Sequence, residues 1–314
     1  MIAFDKLKLI STLDSIIVVD PANFNMKTKG GRTVSMTMSM KQPFYLDIEI
    51  NYEKGEVIIE FTGKILGERY TELINLNTIR VCFQRINDLG FCEIDIEKMM
   101  YAQVVKCDVT KDVPITNIPS LNRYIRGHIR NYQAYTCELK RNGNLIIEKN
   151  VTGRDYKRRI TLYDKQAEMM RRTGQDFKAR YGLEGKYDGI CRFEMNLNSQ
   201  QAIRDTLGIT GTTLSEVLRS RQNPIEDFLD DVIQEDTTAC VQDSWKTYWQ
   251  TLVLEDCCFD LAKVEAKLRE YKGGGIAKAM RPFRELMEAL PDGASTWTKD
   301  KLLELVRGKA FQCN

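Results

Sequence analysis

Two strand-like segments, Val105–Val109 and Cys191–Met195, are mostly apolar, and each carries a cation followed two residues later by an acid. The pairs are Lys106 with Asp108 and Arg192 with Glu194. In an extended chain with a two-residue period, cation and acid share one face. An acid on an otherwise apolar strand has to be paired, hydrated or metal-bound, because burying a bare charge is costly. Each segment also closes a similar run. In the first, the alternation of Phe44–Ile50, a Lys54-Gly55 turn and Val57–Phe61 predict a hairpin. Helical spacing over 68–89 follows, then the strand Ala102–Thr110. In the second, Tyr135–Leu139 and Leu145–Lys149 flank Asn142-Gly143, a strong hairpin signal. The strand Arg159–Tyr163, the helical stretch 164–181 and the strand Gly189–Leu197 follow. We therefore expect an α/β (α+β) fold of duplicated hairpin–helix–strand units, about 43–112 and 131–198, on a central, mostly antiparallel sheet. If the closing strands pair at its centre, Asp108 and Glu194 come together.

Outside the repeats, residues 4–20 predict two short strands, and 21–42, with Lys29-Gly30-Gly31, a loop or flexible hairpin. After Asn198 the pattern is helical: 200–207, 214–221, 225–235, 261–271, 276–290 and 299–309. Pro282 is expected to kink or restart the fifth of these, and Thr298 to cap the last. Trp245, Tyr248 and Trp249 are expected to dock the acidic segment that carries them.

The net charge of +2 is uninformative, but its distribution is uneven. Residues 121–192 hold 17 Lys+Arg against 8 Asp+Glu, whereas 226–260 hold 1 against 10. A basic middle beside an acidic segment is an asymmetry that polyanion binders show. The nine cysteines form no CxxC pair and sit in apolar contexts, as expected of reduced thiols in the cytoplasm. No signal-peptide layout opens the chain, and no apolar run approaches the roughly 18–20 residues that span a bilayer, so no membrane partner is expected. His128 is the only histidine. A metal site with two histidines within the chain is thereby excluded, and a carboxylate site would favour Mg²⁺ or Mn²⁺.

The most basic stretch, 152–168, places Arg154, Lys157, Arg158, Arg159 and Lys165 around Ile160-Thr161-Leu162-Tyr163. Cations suit phosphate, and a tyrosine among them suits attack on phosphorus. Four stretches together resemble the filamentous-phage gene II protein family of replication initiators, and more loosely the plasmid rolling-circle initiators. They are Thr62-Gly63-Lys64-Ile65-Leu66-Gly67, Lys106-Cys107-Asp108-Val109-Thr110, Arg158 to Glu168 with its Tyr163-Asp164-Lys165 centre, and Cys191-Arg192-Phe193-Glu194 followed by Leu207-Gly208. Order and spacing are similar over about 43–210. Lys106 stands where the family has arginine, Asp112 has no counterpart, and the C-terminal third is not matched.

The resemblance implies an enzyme that nicks one strand of a circular DNA origin through a tyrosine, holds a phosphotyrosine intermediate and reseals the displaced strand. Tyr163 falls on the nucleophile, with Lys165 to lower its pKa or bind phosphate oxygens, and Asp108 and Glu194 as ligands of Mg²⁺ or Mn²⁺. Residues 1–210 would form the nicking domain and 211–314 a helical region. Arg123, Arg126, Arg130, Arg154, Lys157, Arg158 and Arg159 are the candidates for DNA backbone contacts. Origin DNA, double- and single-stranded, is the implied partner, with a host helicase and a homodimer as further options. Each assignment has a plain rival: Tyr163 as a packed strand-end tyrosine, Asp108 and Glu194 as partners of Lys106 and Arg192, Glu168 as a helical ion pair with Lys165, and the arginines as a solvated face. Tyr156 is the competing nucleophile. A non-catalytic DNA-binding regulator and a mobilisation relaxase or recombinase are the competing functions.

Overall fold

The computed structural model describes residues 2–115, 117–129, 134–150, 158–233, 246, 249–250, 253–254, 257, 261–271, 274–289 and 297–308; the side chains of Arg123, Lys263, Met287, Glu288 and Ala289 are not described. The strands are β1 (Phe4–Thr12), β2 (Ile16–Val18), β3 (Asn25–Lys29), β4 (Arg32–Met40), β5 (Leu46–Asn51), β6 (Glu56–Thr62), β7 (Cys92–Ile94), β8 (Gln103–Pro114), β9 (Tyr135–Leu139), β10 (Leu145–Lys149), β11 (Arg159–Asp164) and β12 (Ile190–Leu197). The helices are α1 (Ile79–Asn87), α2 (Ile96–Met99), α3 (Ile118–Gly127), α4 (Lys165–Met169), α5 (Arg172–Tyr181), α6 (Gln200–Leu207), α7 (Leu214–Arg219), α8 (Pro224–Val232), α9 (Leu261–Tyr271), α10 (Ile276–Ala289) and α11 (Lys299–Arg307).

Ten strands form one sheet in the order β3-β4-β5-β6-β1-β8-β12-β11-β10-β9, while β2 and β7 pair separately. The closing strands of the two repeats, β8 and β12, pair antiparallel near its middle, with Asn196 opposite Asp108 and Glu194 opposite Thr110. The second unit runs β9-β10-β11-β12 outward from that seam in reverse chain order. The first is interrupted: β1, from outside the repeat, lies between β6 and β8. The polar stretch 21–42 takes the hairpin form, with Gly30 (φ 58°) and Gly31 (φ 76°) supplying the two left-handed residues of its turn.

The long helix expected over 68–89 is not formed. Only Ile79–Asn87 is α-helical, and Gly63–Glu72 is a 3-10 run broken at Gly67. The apolar spacing is genuine, but Thr78 intervenes. Its hydroxyl accepts from the Asn75 amide at 2.8 Å and donates to the Leu73 carbonyl at 2.7 Å. Such side-chain bonds compete with the helical ladder.

The apolar face of the sheet is covered by helices whose buried residues join one cluster with the strands: Ile203 of α6, Leu214 and Val217 of α7, Phe228 and Leu229 of α8, and Leu302 and Val306 of α11. The helices α9 and α10 build a separate small cluster around Val264, Met280 and Phe283, and α10 continues through Pro282. Thr298 caps α11 through the Lys301 amide, as expected. Trp249 is half exposed; Trp245 and Tyr248, with most of the acidic segment, lie outside the described residues. Cys82, Cys92, Cys107, Cys191 and Cys257 are buried and free, and Cys137 is free and half-buried. No helix among the described residues is long and apolar enough to cross a membrane.

Candidate active site

The opposite face of the sheet carries the polar residues, and a bulge in β1 brings one more acid to them. Phe4 pairs with Val109 and Lys6 with Asp108, so Asp5 is an extra residue in that ladder. Phe4 and Leu7 are both fully buried with two residues between them, where strict alternation leaves one. Asp5 and Lys6 therefore both turn away from the apolar core. Bulges of this kind re-aim a side chain.

Along β8, β12 and β11 a line of hydrogen bonds runs across the strands. The Tyr163 hydroxyl donates to Glu194 Oε2 at 3.0 Å. Asn196, two residues after Glu194, donates from Nδ2 to Asp108 Oδ1 at 2.7 Å and to Glu194 Oε1 at 3.3 Å. The structure thus joins Asp108, Glu194 and Tyr163 through one amide. Burial pushes both carboxyls above the ordinary range. The charge of Asp5 adds to this at Asp108, and the charges of Asp5 and Asp108 add to it at Glu194. Burial also pushes the Tyr163 phenol well up, Arg192 opposing and the Glu194 charge reinforcing.

A second, deeper network lies beside this line. Arg192 is fully buried and forms a two-bond pair with Asp112, at 2.6 and 2.7 Å. It also lies 3.3 Å from Asp5. The rival pairing of Arg192 with Glu194 is therefore not made, and among the described residues no ion pair joins Lys106 to Asp108. The Tyr70 hydroxyl accepts from Arg192 and from Lys165, each at 2.9 Å. Burial would raise Asp5, but Arg192 and Lys165, with a Tyr70 hydrogen bond and Lys64, hold it below the usual range. Above this network Tyr70, Met169, Phe177, Leu183 and Tyr187 form a small apolar cover.

Lys165 does not extend the face of Tyr163. The strand stops at Asp164, whose side chain caps α4, and Lys165 is the first helical residue. Its ammonium donates to Glu168 at 2.7 Å, the ion pair expected, and lies 5.9 Å from the Tyr163 ring centre rather than on the hydroxyl. Burial, with Arg192 adding to it, lowers the Lys165 pKa. Lys165 thus positions Glu168 and Tyr70.

Two cavities meet at Tyr163 and Glu168. One, about 740 Å³, is lined by Lys41, Lys64, Lys165 and Arg180 with Phe44 and Tyr45. The other, about 840 Å³, is lined by Asn122, Arg126, Asn142, Asn144, Arg171 and Glu194. Of the expected backbone-contact residues, Arg126 lines this second cavity, Arg159 is exposed on β11 and Arg158 half-buried before it. Arg130, Arg154 and Lys157, like Tyr156, lie outside the described residues, as does the side chain of Arg123. His128 has a structural role: its Nδ1 is 2.7 Å from the Tyr124 carbonyl and its ring packs on Tyr124.

Asp5, Tyr70, Asp112, Asn122 and Asn196 were not singled out by sequence. Asn196 continues the alternation of Arg192 and Glu194, and the unequal spacing Phe4, Leu7, Leu9 marks the bulge that aims Asp5. For Tyr70 and Asn122 the sequence holds no signal. The acids present are chemically suited to a hard cation. Burial raises both Asp108 and Glu194, with the charge of Asp5 adding at Asp108 and those of Asp5 and Asp108 at Glu194, and Asp5 Oδ1 is buried with no hydrogen-bond partner. Among the described residues no three such ligands converge closely enough to enclose an ion. No family model, curated protein or solved structure matches the chain.

Proposed function

We propose that the protein is a DNA strand transferase of the replication-initiator type. It would nick one strand through Tyr163, hold it as a phosphotyrosine and reseal it. The observation that carries this is the Tyr163–Glu194 hydrogen bond, set where two cavities lined by both cations and acids meet. A phenol held above its ordinary range does not ionise unaided near neutrality, so attack needs a base. Glu194, itself raised, is in place to take the proton as the Tyr163 oxygen bonds to phosphorus. The bond from phosphorus to the 3′-oxygen breaks, and that oxygen leaves to become the 3′-hydroxyl. The phosphodiester energy is kept in the tyrosine ester, so the reverse attack by a 3′-hydroxyl reseals DNA without a nucleotide cofactor.

Lys41, Lys64 and Arg180 in one cavity and Arg126 and Arg171 in the other are cations that would meet phosphates on the two sides of Tyr163. Asp108 and Glu194, with Asp5 alongside, would hold Mg²⁺ or Mn²⁺. A bound cation would withdraw charge from the reacting phosphate. Asn196 fixes the two carboxylates relative to each other, and the Arg192–Asp112 pair anchors β12 beneath them.

The test is a covalent adduct between the protein and single-stranded DNA formed with Mg²⁺ and surviving denaturation. It is expected with the native chain and absent in Tyr163→Phe. An adduct that persists in Tyr163→Phe moves the nucleophile elsewhere, Tyr156 first. No adduct with any DNA offered favours a non-catalytic DNA-binding protein.

A further inference from the structure

Asn122, on α3, is 4% exposed and lines the second cavity. Its Nδ2 donates to the Gly143 carbonyl in the β9–β10 turn at 3.1 Å. That bond fixes the amide, because a carbonyl can accept only from its nitrogen. The other end, Oδ1, is left buried without a hydrogen-bond partner. A buried acceptor with no donor is costly, and such groups are uncommon unless a ligand completes them.

The surroundings narrow the ligand. Ile118, Pro119 and Leu139 give the cavity apolar walls, and Leu139 is 43% exposed there. Arg126 and Arg171 line the same space beside Asp164, Glu168 and Glu194, and their guanidinium groups suit the phosphate of an otherwise polar, largely uncharged ring. Tyr163 and Glu194 line it too, so its occupant adjoins the tyrosine hydroxyl. A flat ring with an N–H on its edge and a phosphate attached satisfies all three conditions.

We propose that this cavity takes one unpaired nucleobase of the DNA strand, whose Watson–Crick edge donates an N–H to Asn122 Oδ1 while its flanking phosphates lie on Arg126 and Arg171. Every base carries such an N–H, and pairing in a duplex consumes it. The cavity therefore selects a single strand at this nucleotide, as protein sites that read splayed bases do. Its place beside the scissile phosphate rests on the reading of Tyr163 as the joining residue. The base site itself rests on Asn122.

Single strands of about 12 nucleotides, with one abasic nucleotide moved along the strand, are titrated against Tyr163→Phe protein. Because every base carries the N–H, the presence of a base is expected to matter and its identity little: an abasic nucleotide at one position is expected to weaken binding about tenfold, and under about twofold in Asn122→Ser. The abasic measurement on Asn122 protein needs no folding control; the Asn122→Ser protein is checked by its melting temperature. The proposal is overturned if no position depends on Asn122, or if duplex binds as tightly as single strand. The native chain with Mg²⁺ separates the two readings. Adducts without an Asn122-dependent base sink the base site and leave Tyr163 standing. An Asn122-dependent base without any adduct does the reverse.

Discussion

The Tyr163 hydroxyl is aimed at Glu194 Oε2, 3.0 Å away on the neighbouring strand, and Glu194 is held by Asn196 against Asp108. Burial and two nearby acids raise the Glu194 pKa. Adduct formation should therefore rise with pH as Glu194 loses its proton, with a midpoint above the ordinary carboxylate range. Glu194→Gln is expected to slow the reaction by about 10²–10⁴ and to flatten that profile, as loss of a general base does. Asp108→Asn removes both a charge that raises Glu194 and a proposed metal ligand, so it should shift the midpoint down and lower the Mg²⁺-dependent rate. Single-turnover rates across pH check both. A midpoint unmoved by Asp108→Asn would count against the electrostatic coupling.

Stability should respond to pH in the matching sense. Glu194 and Asp108 have folded-state pKa values above their unfolded ones, so between those values the native chain binds more protons. In that window their contribution falls as pH rises. A divalent cation at these acids competes with protons and should raise the melting temperature more at pH 8 than at pH 5. Asp5 and Glu168 run oppositely. Burial works against both, but Arg192 and Lys165 hold Asp5 down and Lys165, Lys64 and Arg192 hold Glu168 down. Their contribution is present above the unfolded carboxylate pKa and is lost as pH falls through the lowered values. Thermal melts from pH 3 to 8, with and without Mn²⁺, measure both trends. A Mn²⁺ effect as large at pH 5 as at pH 8 would argue against metal on this pair.

Arg192 is where local pattern and buried chemistry part. The repeat of cation and acid on Val105–Val109 and Cys191–Met195 was enough to place β8 beside β12, because two half-polar strands pair most cheaply with each other at the sheet centre. The same pattern suggested pairs within a strand, and there it misled: two residues on one face are neighbours, but the guanidinium reaches across to Asp112. Asp5 was hidden for a related reason, since a one-residue bulge reverses the face that simple alternation assigns. The helix expected over 68–89 shortens to Ile79–Asn87 because periodicity registers apolar spacing and not the hydroxyl of Thr78. The hairpin strands β5 and β10 were legible because they alternate between buried and half-buried residues.

Truncating one member of the Arg192–Asp112 pair should be severe. Asp112→Ala leaves a fully buried guanidinium short of its main partner and is expected to cost about 3–5 kcal/mol. Arg192→Met strands both Asp112 and Asp5 and should cost a similar amount. The double variant Asp112→Leu with Arg192→Met removes both charges and should be more stable than the two single losses summed. Urea titrations form the cycle. Simple additivity would mean that the pair is not coupled as the geometry implies.

Tyr70 and Tyr187 give the sharpest contrast, because they are buried in one cluster yet differ in what their hydroxyls do. The Tyr70 hydroxyl accepts from Lys165 and Arg192, both at 2.9 Å. Tyr70→Phe leaves two buried cations each short of an acceptor and is expected to destabilise the fold by about 2–4 kcal/mol. The Tyr187 hydroxyl is buried with no hydrogen-bond partner. Tyr187→Phe keeps the ring and its packing against Tyr70 while removing an unpaired polar atom, so it should be neutral or stabilising by up to about 1 kcal/mol. The two substitutions delete the same atom from rings whose centres are 5.9 Å apart, which removes differences in burial and volume from the comparison. Equal losses in chemical denaturation would mean that the ring, and not the hydrogen-bonded hub, sustains this corner. A loss confined to Tyr70→Phe, together with slower adduct formation, would tie the hub to the placement of Glu194 through Arg192.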